Sequence, residues 1–302
     1  MKSLVKTAAV LFHGDAVDLG KHVEKNSAQL AYLDPPFNVG IAFKARRGAV
    51  AYDDRWPSLD IYLAWLEKRI AVVRDLLSEE GTMWLHLDHR AVHEAKVLCD
   101  RIFGAAHFVG EVIWLPGNGS KARRGPGATH QTILLYAKTS TFIWNGKDPA
   151  LRGSFAKTSL SMHFKNKDDG GRAFRDRTIN GKTYRYYADE GRALGSVWSD
   201  CPSMTANTPL RKESTGYPTQ KPLKLLDRIV RASSNVGGLV LDPFCGSGTT
   251  LEAAAKIGRR AVGSDIGAAS IKTISKRLAE AQIPYELRPI HDTRKKLVTS
   301  RK

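Results

Sequence analysis

Six short, mostly apolar runs, each closed by turn residues, constrain this chain more than any other feature. They are Leu30 to Asp34, Thr82 to Asp88, Val109 to Leu115, Thr132 to Lys138, Gly238 to Asp242 and Arg260 to Asp265. Several lack in-and-out alternation, as expected of strands buried on both faces. Helical patterns lie between them. Ser58 can cap a helix in which Ile61, Trp65, Leu66, Ile70, Val73 and Leu77 recur at helical spacing until Gly81 stops it. Similar signals place helices near Arg90 to Phe103, Pro222 to Ser233, Thr249 to Ile257 and Ala268 to Ala281. Strands alternating with helices predict an α/β fold built on a doubly wound, mostly parallel sheet.

The alternation breaks between residues 139 and 216, where basic residues, glycines and aromatics follow no sustained period. That segment is expected to be an irregular inserted module between two halves of the sheet, residues 1–138 and 217–285. Residues 286–302 are expected to form a basic tail. A long loop inside a compact domain is usually functional or disordered. Here Arg172, Arg175, Arg177, Lys182 and Arg185 are interleaved with Phe174, Tyr184, Tyr186 and Tyr187, a composition suited to phosphates and bases.

The net charge supports that partner. With 47 lysines and arginines against 30 acids the chain carries +17, enough to attract a phosphate backbone if gathered on one face. The apolar run near the start is too short for a signal peptide and is closed by His13, Gly14 and Asp15. No stretch reaches the roughly 18 apolar residues of a membrane helix, so no membrane partner is expected. Cys99, Cys201 and Cys245 form no CxxC pair, which argues against disulfides and thiolate zinc and for a reducing cytoplasm.

Two of the apolar runs end alike. LAYLDPPFNVG (30–40) and VLDPFCGSGTT (240–250) each place Asp-Pro and an aromatic after a strand. In the second, Gly246 and Gly248 allow a sharp turn and close approach of a ligand as the helix from Thr249 begins. Asp265 closes the next strand, at the distance where an acid accepts ribose hydroxyls in doubly wound folds. Together they describe a site for an adenosine-containing cofactor. A dinucleotide fingerprint would need glycine where Leu251 stands, so NAD and FAD are disfavoured.

With both motifs in place the chain resembles the β-type amino-group (adenine-N6 or cytosine-N4) DNA methyltransferases that use S-adenosylmethionine. DPPF at 34–37 matches their catalytic motif, DPFCGSGTT at 242–250 their cofactor motif, and YPTQKPLKLLDRIV at 217–230 the segment before the cofactor strand. GEVIWL, HQTILLYAK and GSVWSD resemble segments flanking the variable target-recognition region. The likeness covers most of residues 10–266 and leaves roughly 145–195 unmatched. Because the catalytic motif comes first, the α and γ orders are excluded.

The resemblance implies a Rossmann-like class I methyltransferase fold and these roles. Asp34 and the Pro35 carbonyl, in a motif completed by Pro36 and Phe37, accept the amino hydrogens of a base flipped out of the duplex, and Phe37 stacks on it. Asp242, Phe244, Gly246, Gly248 and Thr249 lie near the methionine part of the cofactor and Asp265 at its ribose. Thr219, Gln220, Lys221 and Pro222 line the pocket, and Asp15 helps from below. Lys44, Arg46, Arg47, Lys121, Arg123 and Arg124 join the cations of the insertion in meeting double-stranded DNA. The expected reaction is methyl transfer to adenine N6, since Asp leads the catalytic motif where Ser would favour cytosine N4. The alternatives are cytosine N4, adenine in RNA, or a non-catalytic DNA-binding relative. The family admits a cognate restriction endonuclease as a further partner, a monomer or a homodimer, and a prokaryotic or phage source. His86, Asp88, His89 and His93 crowd one segment, but methyl transfer needs no metal and none is expected. Cys245 is expected to be a packing residue.

Overall fold

The computed structural model describes residues 7–44, 50–117, 119, 122–204 and 212–290. Two compact units are present, Met1–Trp144 with Ser196–Lys302, and Asn145–Gly195. In the larger unit the chain runs through β1 (Ala9–His13), β2 (Ala28–Leu33), a small hairpin of β3 (Ala42–Lys44) and β4 (Val50–Asp53), α1 (Leu59–Leu76), β5 (Leu77–Leu87), α2 (Val92–Phe103), β6 (Phe108–Trp114) and β7 (Gln131–Ala137). The smaller unit holds β8 (Arg152–Gly153), α3 (Lys157–His163), β9 (Asn166–Lys167), β10 (Ala173–Ile179), β11 (Lys182–Tyr187) and β12 (Arg192–Ala193). The larger unit resumes with β13 (Val197–Trp198), α4 (Leu223–Ser233), β14 (Leu239–Asp242), α5 (Thr249–Lys256), β15 (Arg260–Asp265), α6 (Ala268–Glu280) and β16 (Tyr285–Pro289).

Nine strands form one sheet in the order β13-β6-β7-β5-β2-β14-β15-β1-β16, and only β7 runs antiparallel to its neighbours. This is the expected doubly wound, mostly parallel arrangement. Its strands are apolar throughout because helices cover them: Leu30, Ala31, Leu33, Met83, Leu85 and Leu241 are fully buried. The Ser58 hydroxyl accepts from the Ile61 amide at 3.3 Å and starts α1, whose Tyr62, Leu66, Ile70 and Val73 form its buried stripe.

The structure departs from expectation in four places. Gly81 does not end α1: the helix stops at Leu76, Leu77 turns extended, and the chain enters β5 directly. Gly81 lies inside β5, where a Cβ would meet the Ala28 carbonyl oxygen at 2.6 Å. Residues 286–289, assigned to the tail, belong to β16, which pairs with β1 while Ile290 packs where a Gly14 side chain would be. The insertion is shorter than 139–216. The Ile143 amide donates to Glu80 at 3.0 Å and β13 pairs with β6, returning both flanks to the main sheet. Finally, the segment expected to be irregular contains a regular hairpin. β10 and β11 pair from Phe174↔Tyr187 to Ile179↔Lys182 around Asn180 and Gly181, both at positive φ as a two-residue hairpin turn requires.

Candidate active site

β2 and β14 are neighbours in parallel register, with Leu30 beside Val240 and Ala31 beside Leu241. Both Asp-Pro turns therefore leave the sheet side by side at its carboxyl edge, where doubly wound folds bind ligands. They open into one cavity of about 390 Å³, a size typical of small-molecule sites.

The first turn is held from three directions. Asp54, fully buried, accepts the backbone N–H groups of Phe37 (3.0 Å), Asn38 (2.8 Å) and Val39 (3.1 Å) and the Trp56 indole N–H (3.1 Å). The Tyr62 hydroxyl donates to the Pro36 carbonyl at 2.8 Å. The Pro35 carbonyl has no hydrogen-bond partner among the described residues, so one proline carbonyl is spent on the scaffold and the other is open. Behind Phe37 stands His86, ring centres 5.9 Å apart. Burial first and Lys221 second keep that imidazole neutral, so its Nδ1 accepts from the Tyr32 hydroxyl at 2.7 Å. His86 thus faces inward, and the Asp88 carboxylate is taken up by Arg90.

Lys221 is directed at the first turn. Its Nζ donates to both Asp34 oxygens, at 2.7 and 2.6 Å, and lies 4.9 Å from the centre of the Phe37 ring. Burial raises the Asp34 carboxyl above its ordinary range, and Lys221 opposes that rise. The approach of Lys221 is set by Thr219, a β-branched residue at φ +58 whose hydroxyl pairs with Tyr52 at 3.1 Å. Such a residue is rare in the left-handed region and marks a constrained turn. Gln220 lines the cavity, but its amide ties its own loop, accepting from Thr215 and donating to the Glu213 carbonyl.

The second turn carries the larger acidic wall. Asp242 is 2% exposed, accepts from the Phe244 amide at 2.9 Å and is pushed up to about 7 by burial. Asp265 accepts the amides of Gly246 and Gly267, each at 2.8 Å, and burial raises its carboxyl too. The Thr249 hydroxyl donates to the Lys221 carbonyl at 3.1 Å, joining the two halves. Asp15 lines the cavity with both oxygens engaged, by the Val17 amide and by Arg69. Gly248 and Pro222 are not on the cavity wall. Gly248, at φ +78, lets α5 close on Ile274, which a Cβ would meet at 3.0 Å, and Pro222 starts α4. Cys245 packs as expected, its sulfur filling the space left by Gly263.

A family model described as DNA methylase, of the N6/N4 methyltransferase type, matches residues 28–276, most of the chain and both turns. The chain belongs to this family. The type II methyltransferase M.EcaI of Enterobacter cloacae is 31% identical over 87% of this chain and 67% of its own length. The DNA adenine methyltransferase YhdJ of Escherichia coli K12 is 29% identical over 90% and 83%. Among solved structures, the DNA modification methylase TTHA0409 of Thermus thermophilus, complexed with S-adenosyl-L-methionine, aligns at TM-score 0.57 and 19% identity, covering 93% of this chain and 98% of its own. The cytosine-N4-specific PvuII DNA methyltransferase aligns at 0.56 and 15%, covering 95% and 98%. At such identities the structures speak for the fold.

In this methylase the expected DNA-facing cations divide by their surroundings. Arg46, Arg47 and Lys121 lie outside the described residues. Lys44, Arg123 and Arg124 are exposed on the larger unit. In the smaller unit Arg172 pairs with Asp189 and Glu190, and Arg185 with Asp176, so neither offers a full charge. Arg175 is packed among the Phe155, Phe164 and Tyr186 rings. Arg177 and Lys182 are exposed, have no ion pair among the described residues, and share a hairpin face with Tyr184.

Asp54, Tyr62, Tyr52, Arg69 and Tyr217 complete the cavity and were not singled out in the sequence. Asp54 stands beside Asp53, which pairs with exposed Arg55, and nothing local tells the two acids apart.

Proposed function

We propose that this methylase transfers a methyl group from S-adenosylmethionine to the exocyclic N6 of adenine in double-stranded DNA, acting on a base turned out of the helix. The observation that carries this reading is the convergence of Asp34, the open Pro35 carbonyl and the Phe37 ring on the cavity that also holds Asp242 and Asp265. Adenine N6 is a poor nucleophile because its lone pair is delocalised into the ring. The Asp34 carboxylate and the Pro35 carbonyl would accept its two hydrogens and favour the pyramidal nitrogen of the transition state. Asp34 need not be a strong base, since the amine becomes acidic only as the methyl arrives. Phe37 offers a stacking face, worth roughly 1–3 kcal/mol per base, which offsets part of the unpairing cost.

The donor set of the second turn fits the cofactor. Asp242, Asp265 and the faces of Trp65, Phe244 and Tyr217 suit a cationic nucleoside bearing hydroxyl groups. When bound, S-adenosylmethionine supplies a methyl group on a sulfonium. Asp265 would hold ribose hydroxyls, while Asp242, Phe244 and Gly246 face the methionine portion. The exposed Arg177 and Lys182 with Tyr184, together with Lys44, Arg123 and Arg124, supply phosphate and groove contacts.

Adenine is favoured by Asp at position 34 and by the likeness to YhdJ. The test is incubation with tritiated-methyl S-adenosylmethionine and either duplex DNA or structured RNA, followed by digestion and nucleoside chromatography. The expected product is N6-methyldeoxyadenosine. N4-methyldeoxycytidine would move the target to cytosine, label confined to RNA would move the substrate, and no label in either would leave a DNA-binding relative. Base-resolution mapping of methylation in cells expressing the protein then gives the recognition sequence.

A further inference from the structure

The contacts that Lys221 makes are the contacts proposed above for the target amino group. Nζ donates hydrogens to both oxygens of Asp34, and its charge lies over the face of Phe37. The backbone that carries it is fixed by the Thr249 hydroxyl on its carbonyl and by the constrained turn at Thr219. Beyond Cα the side chain is unbranched and can swing away. We propose that Lys221 is a positioning residue that stands in for the target amino group, completing the bonds of Asp34 and covering Phe37 until a flipped base displaces it.

The physical need is specific. A buried carboxylate with no partner takes up a proton, and a protonated Asp34 would be a donor where an acceptor is required. The other groups within electrostatic reach of Asp34 cannot supply the charge. Tyr32, Tyr52, Tyr62 and Tyr217 are phenols held neutral by burial, Asp242 is itself an acid, and His86 is neutral. Arg69 is committed to Asp15. Lys221, 6% exposed, holds the acceptor form ready, and the base inherits it.

This inference rests on the proposed role of Asp34, and its test separates the two. Lys221→Met and Lys221→Arg are compared with the parent using the mapped target duplex, with and without 2-aminopurine at the target position. For Lys221→Met at saturating cofactor, the acid limb of the single-turnover rate is expected to move up by about one pH unit. Lys221→Arg keeps it near the parent's. The 2-aminopurine signal of Lys221→Met should half-saturate at lower DNA concentration above that limb, because no placeholder has to leave. An unchanged acid limb and unchanged duplex binding would overturn the inference. So would a tenfold loss of cofactor affinity with an unmoved limb, which would make Lys221 a cofactor ligand. Should Lys221→Met fail to fold, Lys221→Arg decides: a placeholder of larger girth weakens duplex binding and spares cofactor binding. A parent enzyme that methylates no base would instead sink the functional reading.

Discussion

The two Asp-Pro turns leave adjacent parallel strands and are braced alike, yet their acids live in different fields. In each, the loop after the proline is held by a carboxylate from elsewhere in the chain: Asp54 takes the amides of Phe37, Asn38 and Val39, and Asp265 takes those of Gly246 and Gly267. Backbone donors aimed at a buried acid fix a loop without side-chain cation chemistry. The difference lies in the leading acids. Asp34 has an ammonium on both oxygens, whereas Asp242 has no ion pair among the described residues and is pushed up to about 7. One turn keeps a charged acceptor standing. The other becomes fully charged when a cationic ligand arrives, which suits a base pocket and a sulfonium pocket respectively.

Asp34→Ala is the widest test of that contrast. It should lower methyl transfer by about a thousandfold or more, the scale of removing a transition-state acceptor, and leave cofactor affinity within a few fold in titration calorimetry. It should also cost about 3 kcal/mol of stability, because Lys221 is left buried without its partner. Transfer at the parent rate would remove Asp34 from the chemistry. A matched loss of cofactor binding would mean that the two turns are not separable.

The contrast was only half legible in the sequence. Asp34, Asp242 and Asp265 could be read because each sits in a local motif at the end of an apolar run. Most strands and helices could be read for the same reason, since strands buried on both faces and helices with one apolar stripe leave distinct periods. What closes the site could not be read. Lys221 reaches Asp34 across 187 positions, and Asp54 is told from Asp53 only by which of them the hairpin of β3 and β4 turns inward. The β10 and β11 hairpin carried a readable Asn180-Gly181 turn, but its strands are polar on both faces and hid the period-two signal.

Asp54→Asn follows in size. It puts amide hydrogens against backbone donors and should cost about 3 kcal/mol, seen as a lower denaturation midpoint, with a fall in transfer rate and unchanged cofactor affinity. Asp242→Asn should do the opposite to stability. In the unfolded chain this carboxyl titrates near 3.9, and in the folded chain near 7. Between those values the folded state holds a proton that the unfolded state has released, so stability declines as pH rises through the window and levels off above it. The substitution should therefore stabilise the ligand-free protein at pH 8, on the order of 2 kcal/mol. It should also abolish the proton release that accompanies cofactor binding near pH 7, measured by calorimetry in buffers of different ionisation enthalpy. A parent protein whose stability rises from pH 5 to 8 while Asp242→Asn is flat would reverse the assignment.

The smallest effect expected is that of Asp265→Asn, and it separates the braces. One oxygen remains to accept from Gly246 or Gly267, so the loop should keep its course and the melting temperature should move little. What changes is the lone pair left for ribose hydroxyls, so cofactor affinity should fall about tenfold, or roughly 1.4 kcal/mol, with the transfer rate restored at saturating cofactor. Asp54→Asn should show the reverse split, a lower rate that no excess of cofactor repairs. If Asp265→Asn also lowers the saturated rate, then a displacement at the second turn is felt at the first. The bond that joins the two halves, from the Thr249 hydroxyl to the Lys221 carbonyl, is then the carrier, and Thr249→Val should reproduce the defect without touching either acid.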